Sequence, residues 1–154
     1  MIRDYKEGQR NLLGVLLVCL LVVGFSVNVF SQPMEIGEGA MCAECGMKVD
    51  KASPFIAQIV TKDGKLLSFC DVGDMLIHYK KMKEKPETVF VKDMTSGTWI
   101  DALTAHYVKS SEFSTPMGYG IGAFKDKDST SKKGALMTFN EAMEMPVRMP
   151  MKMH

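Results

Sequence analysis

The sequence predicts a small α+β domain behind an apolar leader. Three observations carry this reading: an almost uncharged apolar run near the start, two β-rich segments joined by an Asp-Gly turn, and an amphipathic helical segment that leads into another strand. Of the 154 residues, those beyond the leader number roughly 120, enough for one ordinary domain and too few for two full-sized ones. A net charge of +1 with 24% charged residues of both signs provides no long-range field for a nucleic acid, so no nucleic-acid partner is expected. The compositional outlier is methionine, with 14 in the chain.

Residues 12–30 are apolar and follow Arg3, Lys6 and Arg10, the arrangement of a secretory signal or of an N-terminal membrane anchor. Residues 1–31 are therefore assigned to a signal peptide or anchor, and the domain is expected to be extracytoplasmic, touching the membrane only through an uncleaved leader. Cys19 lies inside the apolar run behind Val18, where a lipoprotein signal has a small residue, and reads as an apolar filler. Residues 32–40, rich in Gly and Glu, form a linker.

The stretch Met41-Cys42-Ala43-Glu44-Cys45-Gly46-Met47 comes next and concentrates two thiols and two thioethers in seven residues. Thiolate and thioether together select Cu(I) over hard cations, whereas Zn(II) takes thiolate readily and thioether poorly. Residues 55–61 have strand composition, Asp63-Gly64 supplies a hairpin turn, and residues 66–70 return as a second antiparallel strand. Asp71 to Asp74 offer an N-cap to a helix over 75–83, on which Met75, Leu76, Tyr79 and Met82 recur at helical spacing; Pro86 ends it. Residues 88–93 read as a third strand, giving the order β-β-α-β.

Residues 99–103 and 105–109 form a short structured stretch or strand, and 115–124, with three glycines, reads as a loop that presents Met117. The charged run 125–133 is a solvated loop or the start of a helix. Residues 135–139 resume apolar character, and residues 140–143 have helical character. No strict repeat is visible in the letters, although the second half has room for another strand-and-helix unit. A metal-binding domain over 41–139 is thus followed by a methionine-rich tail over 140–154, where Pro146 and Pro150 oppose regular structure. Met75, Met82, Met94 and Met137 read as packing residues, His78 and His106 as ordinary histidines, and Asp71 as a helix cap.

Outside the leader three cysteines remain, Cys42, Cys45 and Cys70, an odd number for disulfide pairing. The Cys42-x-x-Cys45 pair admits a redox reading, a structural disulfide, or a zinc site completed by Cys70 and His78. The redox reading wants a strand before and a helix directly after, and here Gly46 and Pro54 delay regular structure. Haem attachment is excluded, because Gly46 stands where a histidine is needed.

Three stretches in order, Cys45-Gly46-Met47, then Trp99-Ile100-Asp101-Ala102 running to His106-Tyr107-Val108, then Thr115-Pro116-Met117-Gly118-Tyr119-Gly120 with Ala123-Phe124, resemble the NosL accessory proteins of nitrous oxide reductase. The resemblance covers about residues 41–139. It implies small ββαβ units related to those of organomercurial lyase, and an extracytoplasmic Cu(I) metallochaperone that serves the reductase's copper centre or a related cuproenzyme. It places the copper donors on Cys45 and Met47, with Met117 as the distant thioether. Cys42 and Cys70 are thiols beyond that pattern, and Cys42 is open between a further ligand and a disulfide partner. The expected partners are copper and a client cuproenzyme or its assembly machinery, and no enzymatic activity is expected. The competing class is an enzyme, a thiol oxidoreductase or lyase using Cys42, Cys45 and Cys70; a zinc domain is the other alternative.

Overall fold

A computed structural model describes residues 32–130 and 134–145. The leader over 1–31 and the tail beyond Met145 lie outside the described residues. Among the described residues no helix is long and apolar enough to cross a membrane.

The Asp63-Gly64 turn forms where the sequence places it, with Gly64 at φ +80° and Thr61 N donating to Lys65 O at 3.0 Å. It joins β1 (Ala57–Val60) to β2 (Leu66–Phe69), paired antiparallel from Ala57–Phe69 to Val60–Leu66. A helix, α1 (Val72–Lys81), follows, and β3 (Thr88–Lys92) returns against the other edge of β1. With β4 (Trp99–Asp101) these strands make an antiparallel sheet in the order β2-β1-β3-β4. All four residues of β1 are buried rather than alternating. Its polar member Gln58 is satisfied from outside the sheet, since its amide accepts from Met34 N (2.9 Å) and donates to Met34 O (3.2 Å). Part of the expected linker thus lies across the sheet instead of hanging free.

The second half builds a three-stranded antiparallel sheet, β6-β5-β7, from β5 (His106–Lys109), β6 (Ile121–Phe124) and β7 (Ala135–Met137). β6 corrects the expectation of a continuous glycine-rich loop over 115–124. Its four residues are buried, and a Cβ at Gly122 would stand 3.0 Å from the Phe113 ring and 3.1 Å from Met94. That glycine admits close packing inside a strand rather than marking a loop. The two sheets are joined by a bridge between Asp93 and Ala123 and by Met94 N donating to Ala123 O at 2.9 Å. A short 3-10 turn occupies Lys127–Thr130.

α1 begins three residues before the expected Met75, because the Asp71 carboxylate takes the Gly73 N–H at 2.9 Å and nucleates the first turn. It also ends early: Met82 is already extended, so the helix stops before Pro86 can terminate it. The N-terminal half, Val72 to Leu76, is buried and the C-terminal half is not. A second helix, α2 (Phe139–Met143), starts on a Thr138–Glu141 capping box and buries Phe139 and Ala142. Phe139 meets Tyr79 of α1 edge-on at 5.0 Å and Tyr107 of β5 at 6.1 Å. The packed chain therefore continues past Phe139, as far as Met143. Met75 and Met137 are buried and Met82 packs against the same core, as expected of packing residues.

Candidate metal centre

Two stretches well separated in sequence, residues 40–49 and 70–74, converge at the N-terminal end of α1, and the 115–120 loop is tied to the same helix end. Residues 40–49 form a narrow ribbon, held by Val49 N to Ala40 O (2.8 Å), Cys42 N to Met47 O (2.7 Å) and Gly46 N to Cys42 O (2.9 Å). The reversal at its tip needs Gly46, whose φ of +72° is strained for any side chain. The ribbon attaches along the free edge of β2, through a Cys42–Ser68 bridge and Ala43 N donating to Ser68 O at 2.9 Å. Cys70 follows two residues later, directly after the end of β2, and Asp74 lies in the first turn of α1.

These elements collect Cys42, Cys45, Cys70 and Asp74, whose ligand atoms all lie within 4.8 Å of one another. The Cys45 and Cys70 sulfurs are 3.4 Å apart. Cys42 Sγ donates to Asp74 Oδ2 at 3.3 Å, and Cys70 Sγ donates to the same oxygen at 3.5 Å. Cys42, Cys70 and Asp74 are buried and Cys45 is half-buried, so the cluster opens on the Cys45 side. All three thiols are free. Cys45 thus meets not only its sequence neighbour Cys42 but also Cys70, 25 residues away. Burial pushes the Cys45 thiol up to about 11, with its hydrogen bond to Asp74 adding to the rise. Burial also raises Cys70 strongly, and the neighbouring Cys45 thiol adds to it. Without metal, Cys45 and Cys70 are therefore held protonated at neutral pH, and an ion must displace those protons to bind.

Glu44, between the two ribbon cysteines, fastens the turn to α1. Its carboxylate meets His78 Nδ1 at 3.1 Å and also accepts from Lys81 Nζ, contacts that lower its pKa against the opposing effect of burial. His78 also packs on the Phe69 ring at 5.2 Å. The expected zinc ligand His78 thus belongs to this clamp, and the fourth donor beside the three thiols is Asp74. Replacing Glu44 by Ala should cost less than about 1 kcal/mol, because Lys81 is largely exposed and such pairs are screened. Amide exchange of residues 43–46 should nevertheless quicken several-fold. Unchanged exchange would mean that the turn holds itself without α1.

The loop 115–120 is tied to the same helix end. Asp71 Oδ2 accepts from Met117 N at 2.9 Å, and Gly120 N donates to Thr115 Oγ1 at 3.1 Å. Tyr119 lies so close over α1 that a Cβ on Gly73 would stand 2.3 Å from its ring. Gly73→Ala should accordingly destabilise the domain by about 1–3 kcal/mol in chemical denaturation, since neither the tyrosine nor the helix start can retreat. A loss below about 0.5 kcal/mol would show that the 115–120 loop is free to move away.

Of the residues expected from sequence, Cys42 and Cys45 lie in the cluster. Met47 is about half exposed on the ribbon rung paired with Cys42. Met117 is half-buried and packs against the core, its backbone held by Asp71. Asp71 is the helix cap, as read from sequence. His106 sits in β5, outside the cluster. Sequence reasoning missed Asp74, which it counted only within the cap segment, and did not place Cys70 in the copper site. The available signal was the Cys70-x-x-x-Asp74 spacing across a strand end and a helix start.

No curated protein matches the sequence. Among solved structures, the copper chaperone NosL from Shewanella denitrificans superposes with a TM-score of 0.63 at 25% sequence identity, covering 71% of this chain and 94% of that one. The NosL family pattern matches residues 33–145, a span that takes in the ribbon, α1, both sheets and α2. The chain belongs to the NosL family.

Proposed function

We propose that this protein is an extracytoplasmic Cu(I) metallochaperone that passes its ion to a cuproenzyme client, the nitrous oxide reductase copper centre or a related one. The observation that carries the reading is the half-buried Cys45 thiol, 3.4 Å from the Cys70 sulfur and two residues before the exposed Met47. Soft sulfur donors at an accessible edge suit an ion that must later leave. The similarity to a copper chaperone supports the cargo. The apolar run over 12–30 behind three basic residues supports an extracytoplasmic location.

In this reading Cys45 supplies the thiolate, Met47 and Met117 supply neutral sulfur, and Cys70 lies beneath Cys45 as the neighbouring thiol. Cys42 turns its thiol to Asp74 and is not needed in the copper shell. The copper is cargo: transfer is ligand exchange, in which a donor from the client enters while a protein sulfur leaves, and no substrate bond is broken. Competition titration with a Cu(I) chelator, combined with X-ray absorption on the loaded protein, tests this. One Cu(I) per chain in a shell of two or three sulfurs is expected. Failure to hold Cu(I) against the chelator, or thiol–disulfide turnover by the metal-free protein, would overturn it in favour of the oxidoreductase reading.

A further inference from the structure

We propose that Cys42, Cys45, Cys70 and Asp74 together form a closed, four-coordinate Zn(II) site, in which Asp74 is the residue that distinguishes Zn(II) from Cu(I). The inference is carried by Asp74, which the copper reading leaves without a metal-binding role.

The distances favour it. Around an ion with metal–sulfur bonds of ~2.3 Å and a metal–oxygen bond of ~2.1 Å, the edges of a tetrahedron are about 3.6–3.8 Å. Three edges of this cluster already measure 3.3, 3.4 and 3.5 Å, and none exceeds 4.8 Å. Three of the four donors are buried, which is the enclosure of a holding site rather than an exchanging one.

Donor chemistry and charge point the same way. A carboxylate oxygen is a hard donor that Zn(II) accepts and Cu(I) does not seek. With all four groups ionised, the donors carry four negative charges. Zn(II) leaves a net charge of about −2, the same as in a four-cysteine zinc site, whereas Cu(I) leaves about −3 in a largely buried pocket. The full set therefore suits the divalent ion, and Cu(I) is better served by part of it. Because Cys45 belongs to both sets, the two ions compete for one chain. Zinc then acts as an occupant that shields the three thiols until Cu(I), with its stronger preference for sulfur, displaces it.

Titration of the reduced full-length protein with zinc alone, followed by X-ray absorption at the zinc edge, should give one ion per chain with three sulfur neighbours and one oxygen neighbour. Asp74→Asn, nearly the same in shape, should weaken Zn(II) by at least about 100-fold while Cu(I) affinity stays within about threefold. Cys42→Ser should weaken Zn(II) comparably. A zinc shell with two sulfurs or fewer would overturn the proposal, and because it is read on the unmodified protein it does not depend on how a variant folds. Equal losses of Zn(II) and Cu(I) in Asp74→Asn, or unchanged Zn(II) affinity, would overturn it as well. Failure of the copper reading shows separately, as absent Cu(I) binding with the zinc shell intact.

Discussion

Replacing Cys45 by Ser should remove the proposed Cu(I) binding, lowering affinity by more than about 100-fold, because the hydroxyl that remains is a hard donor that does not ionise at neutral pH. Met47→Leu and Met117→Leu keep volume and delete only sulfur, so each should weaken binding with the fold unchanged. Cys42→Ser should leave Cu(I) bound, since that thiol faces the Asp74 carboxylate. The outcome that sinks the mixed thiolate and thioether site is the reverse pattern: Cys42→Ser as damaging as Cys45→Ser, with both methionine variants binding like the wild type.

The same thiol sets the pH dependence. Burial first, then its hydrogen bond to Asp74, pushes Cys45 up to about 11, so protons compete with copper at every pH below that. Apparent Cu(I) affinity should therefore rise as pH rises, about tenfold per pH unit for each thiol that loses its proton on binding. The rise should continue unbroken from pH 6 to pH 9. An unburied thiol would flatten the profile near pH 8.5, and thioethers add no slope at all. A plateau at that pH would show that Cys45 is not held in its buried setting when copper arrives.

What the sequence disclosed of this protein was local, and what it concealed was long-range. The Asp63-Gly64 hairpin and the Asp71 cap are decided by residues within a few positions of each other, and both form where expected. The buried Met75 and Met137 were also legible, from apolar spacing and from apolar neighbours. β6 was not, because a glycine inside a strand has the letters of a loop until Phe113 and Met94 are seen pressing on Gly122. The cluster was half legible for the same reason. Cys42 and Cys45 announce themselves by proximity, whereas Cys70 joins them only because the ribbon bridges Ser68, two residues before it. Asp74 looks like any acidic residue in a first helical turn, where its charge already suits the helix dipole. Only its contacts with the thiols give it another meaning.

Asp71→Ala should be among the most damaging single changes away from the metal donors, with a loss of about 2–4 kcal/mol in stability. Two separate costs add: the α1 cap, worth about 1 kcal/mol, and the Met117 N–H left without its acceptor, worth about 1–3 kcal/mol. The variant should also weaken Cu(I), because the Asp71 bond fixes the backbone of Met117 beside the helix end that carries Asp74. Asn in place of Asp keeps the shape and one acceptor and should lose less. Burial raises the Asp71 pKa above its ordinary 3.8, against the lowering effect of its backbone hydrogen bonds. A raised carboxyl contributes stability that is full below 3.8 and is lost as pH rises through the folded value. The gap between wild type and Asp71→Asn should accordingly narrow as pH rises through that window, since the amide has no proton to lose. Denaturant titrations of the three proteins at several pH values measure this directly. If Asp71→Ala cost less than about 1 kcal/mol and bound Cu(I) normally, the 115–120 loop would be held by Tyr119 packing alone, and Asp71 would be no more than a helix cap.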